Sequence, residues 1–356
     1  MGFFVEYGIL NPETEQYAGT GRVNISIPAV KEEAQRIEDL GFDGLCAPEA
    51  GHDAFLALMP VAEHTKRITM ATNVAIAFPR SPLVTAQIAW DLQQYSGGRF
   101  RLGLGTQVKG HNELRYCTPW TAAPGPRLRE YILTMKAMFE SFKDPAKPKK
   151  FEGEHYTYTL MPPFFNPGPI DHKDPPIYLA AVNKYMCRLV GELCAGTRLH
   201  PIGTFAYTRD VAMREIEKGA HKTGRSLKEI DVVGVPFLAI GPDDAAVEKA
   251  KRALKQQIAF YASTRTYHAV LEYHGWEDVG QELHRLSREG KWTEMPDCIT
   301  DEMLEEWAIV ATYDELIPKL IERSRGLYTT IQLGIPTKLM KDTDRVRDMI
   351  AQLHAA

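Results

Sequence analysis

Residues 68–106, ITMATNVAIAFPRSPLVTAQIAWDLQQYSGGRFRLGLGT, constrain the fold more than any other stretch. They read as strand, loop, helix, turn and strand. Residues 68–74 form a short apolar, β-branched run, and Pro82 stands where a helix begins. Gly97-Gly98 ends that helix, and 99–104 alternates into a second strand that stops at Gly105-Thr106. A strand-helix-strand unit of this length is a right-handed crossover between parallel strands. Its polar residues fall after the strand ends, where α/β folds place their chemistry.

The same pattern recurs along the 356 residues. Strands are expected at 3–9, 43–47, 68–74, 99–104, 177–181, 197–201, 232–239 and 329–335. Helices are expected at 30–40, 54–64, 82–95, 127–142, 184–194 and 208–223, the last with Thr208 as N-cap and Gly224 as its stop. Eight strands alternating with helices predict an α/β fold, a (β/α)8 TIM barrel. A doubly wound open sheet is the rival, but its early G-x-G-x-x-G turn is absent. Two segments exceed a bare barrel. Residues 143–176, rich in Pro, Lys and Gly, form an excursion between strands four and five, with 156–160 as a hairpin arm. Residues 243–306, helical in pattern with breaks at Gly275 and Gly290, form an insertion between strands seven and eight. No linker separates independent domains, so 1–356 is expected to be one domain.

Bulk properties narrow the partners. Hydrophobic residues make up 44% and charged residues 25%, enough for a sizeable core. A formal net charge of −4 leaves no basic surplus to neutralise nucleic acid or an anionic membrane. Cys46, Cys117, Cys187, Cys194 and Cys298 contain no C-x-x-C pair, which predicts reduced thiols and no zinc site. No apolar run approaches the ~20 residues that span a bilayer, and the chain opens directly into a strand pattern, so a cytoplasmic protein without a signal peptide is expected.

Specific motifs go further. Ser96-Gly97-Gly98-Arg99 with Leu102-Gly103-Leu104-Gly105-Thr106, Arg80-Ser81-Pro82, Pro176-Ile177-Tyr178-Leu179-Ala180-Ala181 and Gly191-Glu192 with Gly196 resemble the bacterial luciferase-like family of flavin- and deazaflavin-dependent oxidoreductases. The likeness runs over nearly the whole chain. Within that family Glu49, His52-Asp53 and His274-Gly275-Trp276 look most like members using the deazaflavin coenzyme F420; the insertion is similar, more weakly, to that of methylenetetrahydromethanopterin reductases. The resemblance implies hydride transfer between F420 and a small organic substrate. Its alternative within the same fold is an FMN-dependent monooxygenase using reduced flavin and oxygen. It also implies a homodimer or higher homo-oligomer, and a non-prolyl cis peptide at Asn73-Val74 pressing on the ring from behind.

Residue chemistry supports sites for such a group. Gly105-Thr106-Gln107 supplies a turn with a hydroxyl and an amide, and Ala181-Val182-Asn183 precedes a helix whose first N–H groups suit a phosphate. Ordinary turn and cap chemistry is the plainer reading of both. Asn183 stands where the family commonly has glycine. Lys109 can meet a coenzyme carboxylate or phosphate, or be simply solvated. Glu49 and His52 follow strand two and are the candidate catalytic residues or ring ligands, His52 as proton donor. The alternative has Asp53 capping the next helix and His52 in solvent. Ala50-Gly51 separate the acid from the histidine, a departure from the family's spacing. His111 and His200 are candidate lining residues of the substrate pocket. The cluster His268, Tyr273, His274 and Trp276 reads as local core, subunit interface or binding box. Val108 replaces the acid found in the family's sugar-phosphate dehydrogenases, which argues against that substrate. A metal-dependent hydrolase is disfavoured, because the first strand ends Gly8-Ile9-Leu10 without His-x-His.

Overall fold

A computed structural model describes residues 2–9 and 27–356, so Leu10, where the first strand pattern runs out, lies outside the described residues. Eight parallel strands are Phe4–Gly8 (β1), Gly44–Ala47 (β2), Thr69–Thr72 (β3), Phe100–Gly105 (β4), Ile177–Ala181 (β5), Gly196–Leu199 (β6), Asp231–Gly234 (β7) and Thr330–Gln332 (β8). Each pairs with its neighbours in chain order and β8 returns to β1, closing a (β/α)8 barrel. The surrounding helices are Val30–Leu40 (α1), Ala54–His64 (α2), Pro82–Tyr95 (α3), Pro124–Lys143 (α4), Lys184–Leu193 (α5), Met213–His221 (α6), Leu316–Ser324 (α7) and Thr343–Ala355 (α8).

Local chemistry sets the helix ends. Asp53 accepts from the Phe55 and Leu56 N–H groups to start α2, and Ser81 accepts from Val84 N–H ahead of Pro82 in α3. Gly41 closes α1 at φ 100°, and Gly97 and Gly98 leave α3 at φ 68° and 84°, a region that disfavours side chains.

Alternate strand residues face the barrel interior. Phe4, Arg101, Tyr178, Asp231 and Thr330 fill one end; Glu6, Cys46, Arg198 and Gln332 lie above them. Arg198 donates to both Glu6 oxygens at 2.9 and 3.0 Å, with side chains only 1% and 0% exposed. Charges fit here because glycines face them. A Cβ on Gly103 would stand 2.0 Å from the Thr72 carbonyl oxygen and 3.0 Å from Arg198 Cδ. The glycine-rich LGLG pattern is therefore a packing requirement of the interior.

Three features differ from the sequence expectation. The seventh strand, expected at 232–239, is two strands. Asp231–Gly234 stays in the barrel, whereas Phe237–Gly241 leaves it and pairs in parallel with Ala308–Thr312. Pro236 between them has no N–H for a barrel ladder. Second, 308–312 is a strand that the pattern reading passed over. Third, Thr208 is not a cap: the helical segment starts at Phe205 behind Thr204, which accepts from Tyr207 N–H, and Thr208–Ala212 is a π-turn leading into α6.

Between α4 and β5 the chain makes a small antiparallel hairpin, Phe151–Glu152 with Thr157–Tyr158, and returns along α3. Trp90 Nε1 and Gln93 Nε2 hold that return by donating to the Gly168 and Lys173 carbonyls. Between Gly241 and Ala308 lie helices Asp244–Ala262, His268–His274, Glu277–Glu289 and Asp301–Trp307. Their apolar faces, with Leu254, Ile258, Leu283 and Trp307, form a second core against Ile202, Tyr207 and Phe237. Among the described residues no helix is long and apolar enough to cross a membrane.

Candidate active site at the barrel mouth

The C-terminal ends of the strands form a mouth with an amide-lined floor. The Asn73–Val74 peptide at the end of β3 is cis, the arrangement the family resemblance implies. Val74 leans on β4: its Cγ2 lies 2.7 Å from where a Cβ on Gly105 would stand, so only glycine leaves room. Asn73 Nδ2 donates to Gln332 Oε1 at 2.6 Å, a bridge between the ends of β3 and β8. Gly8 lies against it; a Cβ there would be 2.8 Å from Gln332 Nε2 and 4.0 Å from Cys46 Sγ. Burial pushes the Cys46 thiol up to about 12, so this cysteine stays a neutral space-filler.

Glu49 is a clamp. Its Oε2 accepts from Ile76 N–H at 2.9 Å and from Arg80 at 2.7 Å, and its Oε1 accepts from the Tyr116 hydroxyl at 3.1 Å. The other arm of Arg80 reaches Asp53 at 2.6 Å. Glu49 and Arg80 side chains are 7% and 17% exposed, so the pair is shielded from screening. With both oxygens accepting, Glu49 fixes the segment just past Asn73–Val74. Sequence reasoning quoted Arg80 only as a motif letter and missed Tyr116, whose phenol also accepts from Arg115 at 2.6 Å. His52 is half-buried nearby, and neither ring nitrogen has a hydrogen-bond partner among the described residues.

Two turns stand side by side at the far rim. Leu104 pairs with Leu179, and a Cβ on Gly105 would lie 3.7 Å from Ala180 Cβ, so Thr106–Gln107 and Ala181–Val182 are neighbours. The first turn is tied by Asn112, also missed from sequence: fully buried, it donates from Nδ2 to the Thr106 and Val108 carbonyls at 2.9 and 3.2 Å. Gln107 sits at φ 56° and folds its Oε1 back to accept from Val108 N–H, so the carbonyl end of its amide is spent locally. In the second turn Asn183 caps α5, accepting from Met186 N–H at 3.1 Å. The Lys184 and Tyr185 N–H groups donate to nothing among the described residues, the usual orphan donors of a helix start. Tyr207 donates to Val182 O at 3.1 Å and backs this turn. Lys109 and His111 are exposed on the short helix Lys109–Leu114, with Lys109 4.0 Å from Glu113.

His200, just past β6, is enclosed by the helical insertion. Tyr267 stacks on it at 4.8 Å and Tyr261 meets it edge-on at 4.7 Å. Its Nδ1 accepts from Ile202 N–H, which puts the proton on Nε2. Burial pushes the imidazole pKa down to about 4, and the residue is partly accessible. The insertion's aromatic residues pack mainly with one another and with the adjoining chain: His274 stacks on Trp276 at 4.1 Å and bonds Thr204, and Tyr273 donates to Asp210. His268 lies 6.5 Å from His284. Among the described residues no cluster of His, Cys, Asp and Glu could hold a metal ion.

The family model described as "Luciferase-like monooxygenase" matches residues 5–330. An uncharacterized protein of Mycobacterium tuberculosis is 40% identical over 86% of this chain and 90% of its own. A 5,10-methylenetetrahydromethanopterin reductase of Archaeoglobus fulgidus is 28% identical, covering 84% of this chain and 87% of its own. Among solved structures, the coenzyme F420-dependent tetrahydromethanopterin reductase of Methanopyrus kandleri superposes with a TM-score of 0.72 at 21% identity, over 99% of this chain and 97% of that one.

Proposed function

The chain belongs to the luciferase-like monooxygenase family, and from that premise we propose that it is a coenzyme F420-dependent oxidoreductase acting on a small organic substrate. The observation that carries this reading is the pair of adjacent turns, one of which ends in the uncommitted Lys184 and Tyr185 N–H groups. Together with the Val74 bulge over Gly105, they suit a phosphate-bearing tricyclic ring. When bound, F420 supplies hydride exchange. The chain's own residues do the rest. Asn73 and Val74 back the ring; Thr106, Gln107, Ala181, Val182 and Asn183 hold the phosphate; Lys109 meets an outer acidic group. Glu49 fixes the wall, His52 moves a proton, and His111 and His200 border the substrate. The resemblance to the archaeal reductase at 28% identity supports the same assignment.

The second reading, an FMN-dependent monooxygenase, is favoured by the description of the matching family model. Titrating the apoprotein with F420 and with FMN decides between them. Trp120, in edge contact with Phe78 at 5.8 Å near the mouth, is the fluorescent reporter. F420 is expected to quench to saturation at a concentration at least about tenfold below FMN, a difference of roughly 1.4 kcal/mol. Tighter FMN binding sinks the first reading in favour of the second. The proposal also takes 1–356 as one working unit that assembles as a homodimer or higher homo-oligomer.

A further inference from the structure

We propose that Gln332 is a contact residue of the coenzyme site, its Nε2 donating from the barrel floor to a carbonyl oxygen of the bound ring; this rests on the flavin-type reading above. Register puts the residue inside the barrel. Phe4 pairs with Thr330 and Glu6 with Gln332, and the Thr330 hydroxyl reaches the interior Asp231. Gln332 therefore points inward one layer above Thr330, level with Glu6, and its side chain reaches Asn73 at the end of β3.

Its orientation is fixed. Asn73 Nδ2 occupies Oε1 at 2.6 Å, so the carbonyl end is spent and the amino end lies against Gly8. A primary amide nitrogen only donates. Among the described residues Nε2 donates to nothing, yet Gln332 keeps accessible surface. Beside it in the interior, its register partner Glu6 already accepts from both arms of Arg198, and Cys46 is a neutral thiol. The unspent donors are thus available to an acceptor above the floor. β1 ends in glycine at this place because the amide needs the room.

Topology identifies that acceptor. β8 lies four strands around the ring from β4, whose turn neighbours the free N–H groups of α5, so it is diametrically across the mouth. A group anchored there by phosphate extends its ring across the floor towards β3, β1 and β8. The pyrimidine edge of flavins and deazaflavins carries carbonyl oxygens, the chemistry that two amide hydrogens recognise. Such a donor also favours the reduced ring, which bears more negative charge on that edge.

The test uses the full chain with F420 and with its phosphate-free deazariboflavin fragment, each oxidised and reduced. Gln332→Met keeps the length and removes the donor. It is expected to raise Kd about tenfold for both ligands alike, because they share the ring, with a larger loss for the reduced forms. Gln332→Glu still accepts from Asn73 but faces the ring with negative charge, so its loss is larger again; it decides the matter if the methionine variant folds poorly. Affinities within twofold of the parent, or a loss confined to the phosphate-bearing ligand, overturn the assignment while the F420 reading stands. A parent chain that binds neither ring system overturns both.

Discussion

At His200 the imidazole pKa is pushed by burial to about 4 from its ordinary 6.5. The sign of the linkage follows. Above pH 6.5 both folded and unfolded chains hold this ring neutral and it contributes no pH dependence. As pH falls from 6.5 towards 4 the unfolded chain takes up the proton first, so stability is lost across that window. The loss is on the order of 3 kcal/mol. His200→Gln is expected to flatten the melting temperature against pH there; an unchanged profile means the ring titrates freely. His200 was legible as a residue past the sixth strand, but its enclosure was not, because Tyr261 and Tyr267 arrive from an insertion sixty residues on. Glu49 shows the same limit: position flagged it, but Arg80, 31 residues away, makes it a clamp.

The elements were largely legible because their signals are local. Asp53, Ser81 and Asn183 cap the helices that follow them, Gly41 ends α1, and Gly97 and Gly98 end α3. Where local signals conflicted, the reading failed. An apolar run across 232–239 hides the break that Pro236 imposes, and the short β-branched run 308–312, close behind a helix, is too brief to stand out as a strand. Strand β4 carries the sharpest prediction at this scale. Gly103→Ala puts a methyl 2.0 Å from the Thr72 carbonyl, backbone that cannot yield. The expected cost is at or above the roughly 1–3 kcal/mol typical of overpacking, read as lost soluble yield and a lower melting temperature. Gly110→Ala, with nothing within 4 Å of the added carbon, is the matched control, expected within about 0.5 kcal/mol of the parent.

Helix α2, AFLALMPVAEH, is apolar nearly all round, a composition suited to burial on both sides. One side packs on the barrel; on the other, Leu56 is 60% and Met59 41% exposed. With Ile88, Leu92 and Tyr95 of α3 they border an apolar groove of about 580 Å³. A second copy seated there fits the proposed homo-oligomer. Leu56→Glu is expected to shift the sedimenting species to monomer and to leave F420 affinity within about twofold, since the groove lies outside the mouth. A parent chain that already sediments as a monomer removes the assembly from the proposal.

Periodicity, caps and turn residues act over a few positions, so the order of strands and helices, and with it the barrel, followed from the amino-acid sequence. Which side chains meet across the mouth depended on closing the ring, since only closure brings β8 beside β1 and sets Gln332 against Asn73, 259 residues away. Asn112 under the Thr106 turn and the tyrosines over His200 belong to the same class. Their partners are chosen by where helices and insertions come to rest in three dimensions, and no short-range pattern records that.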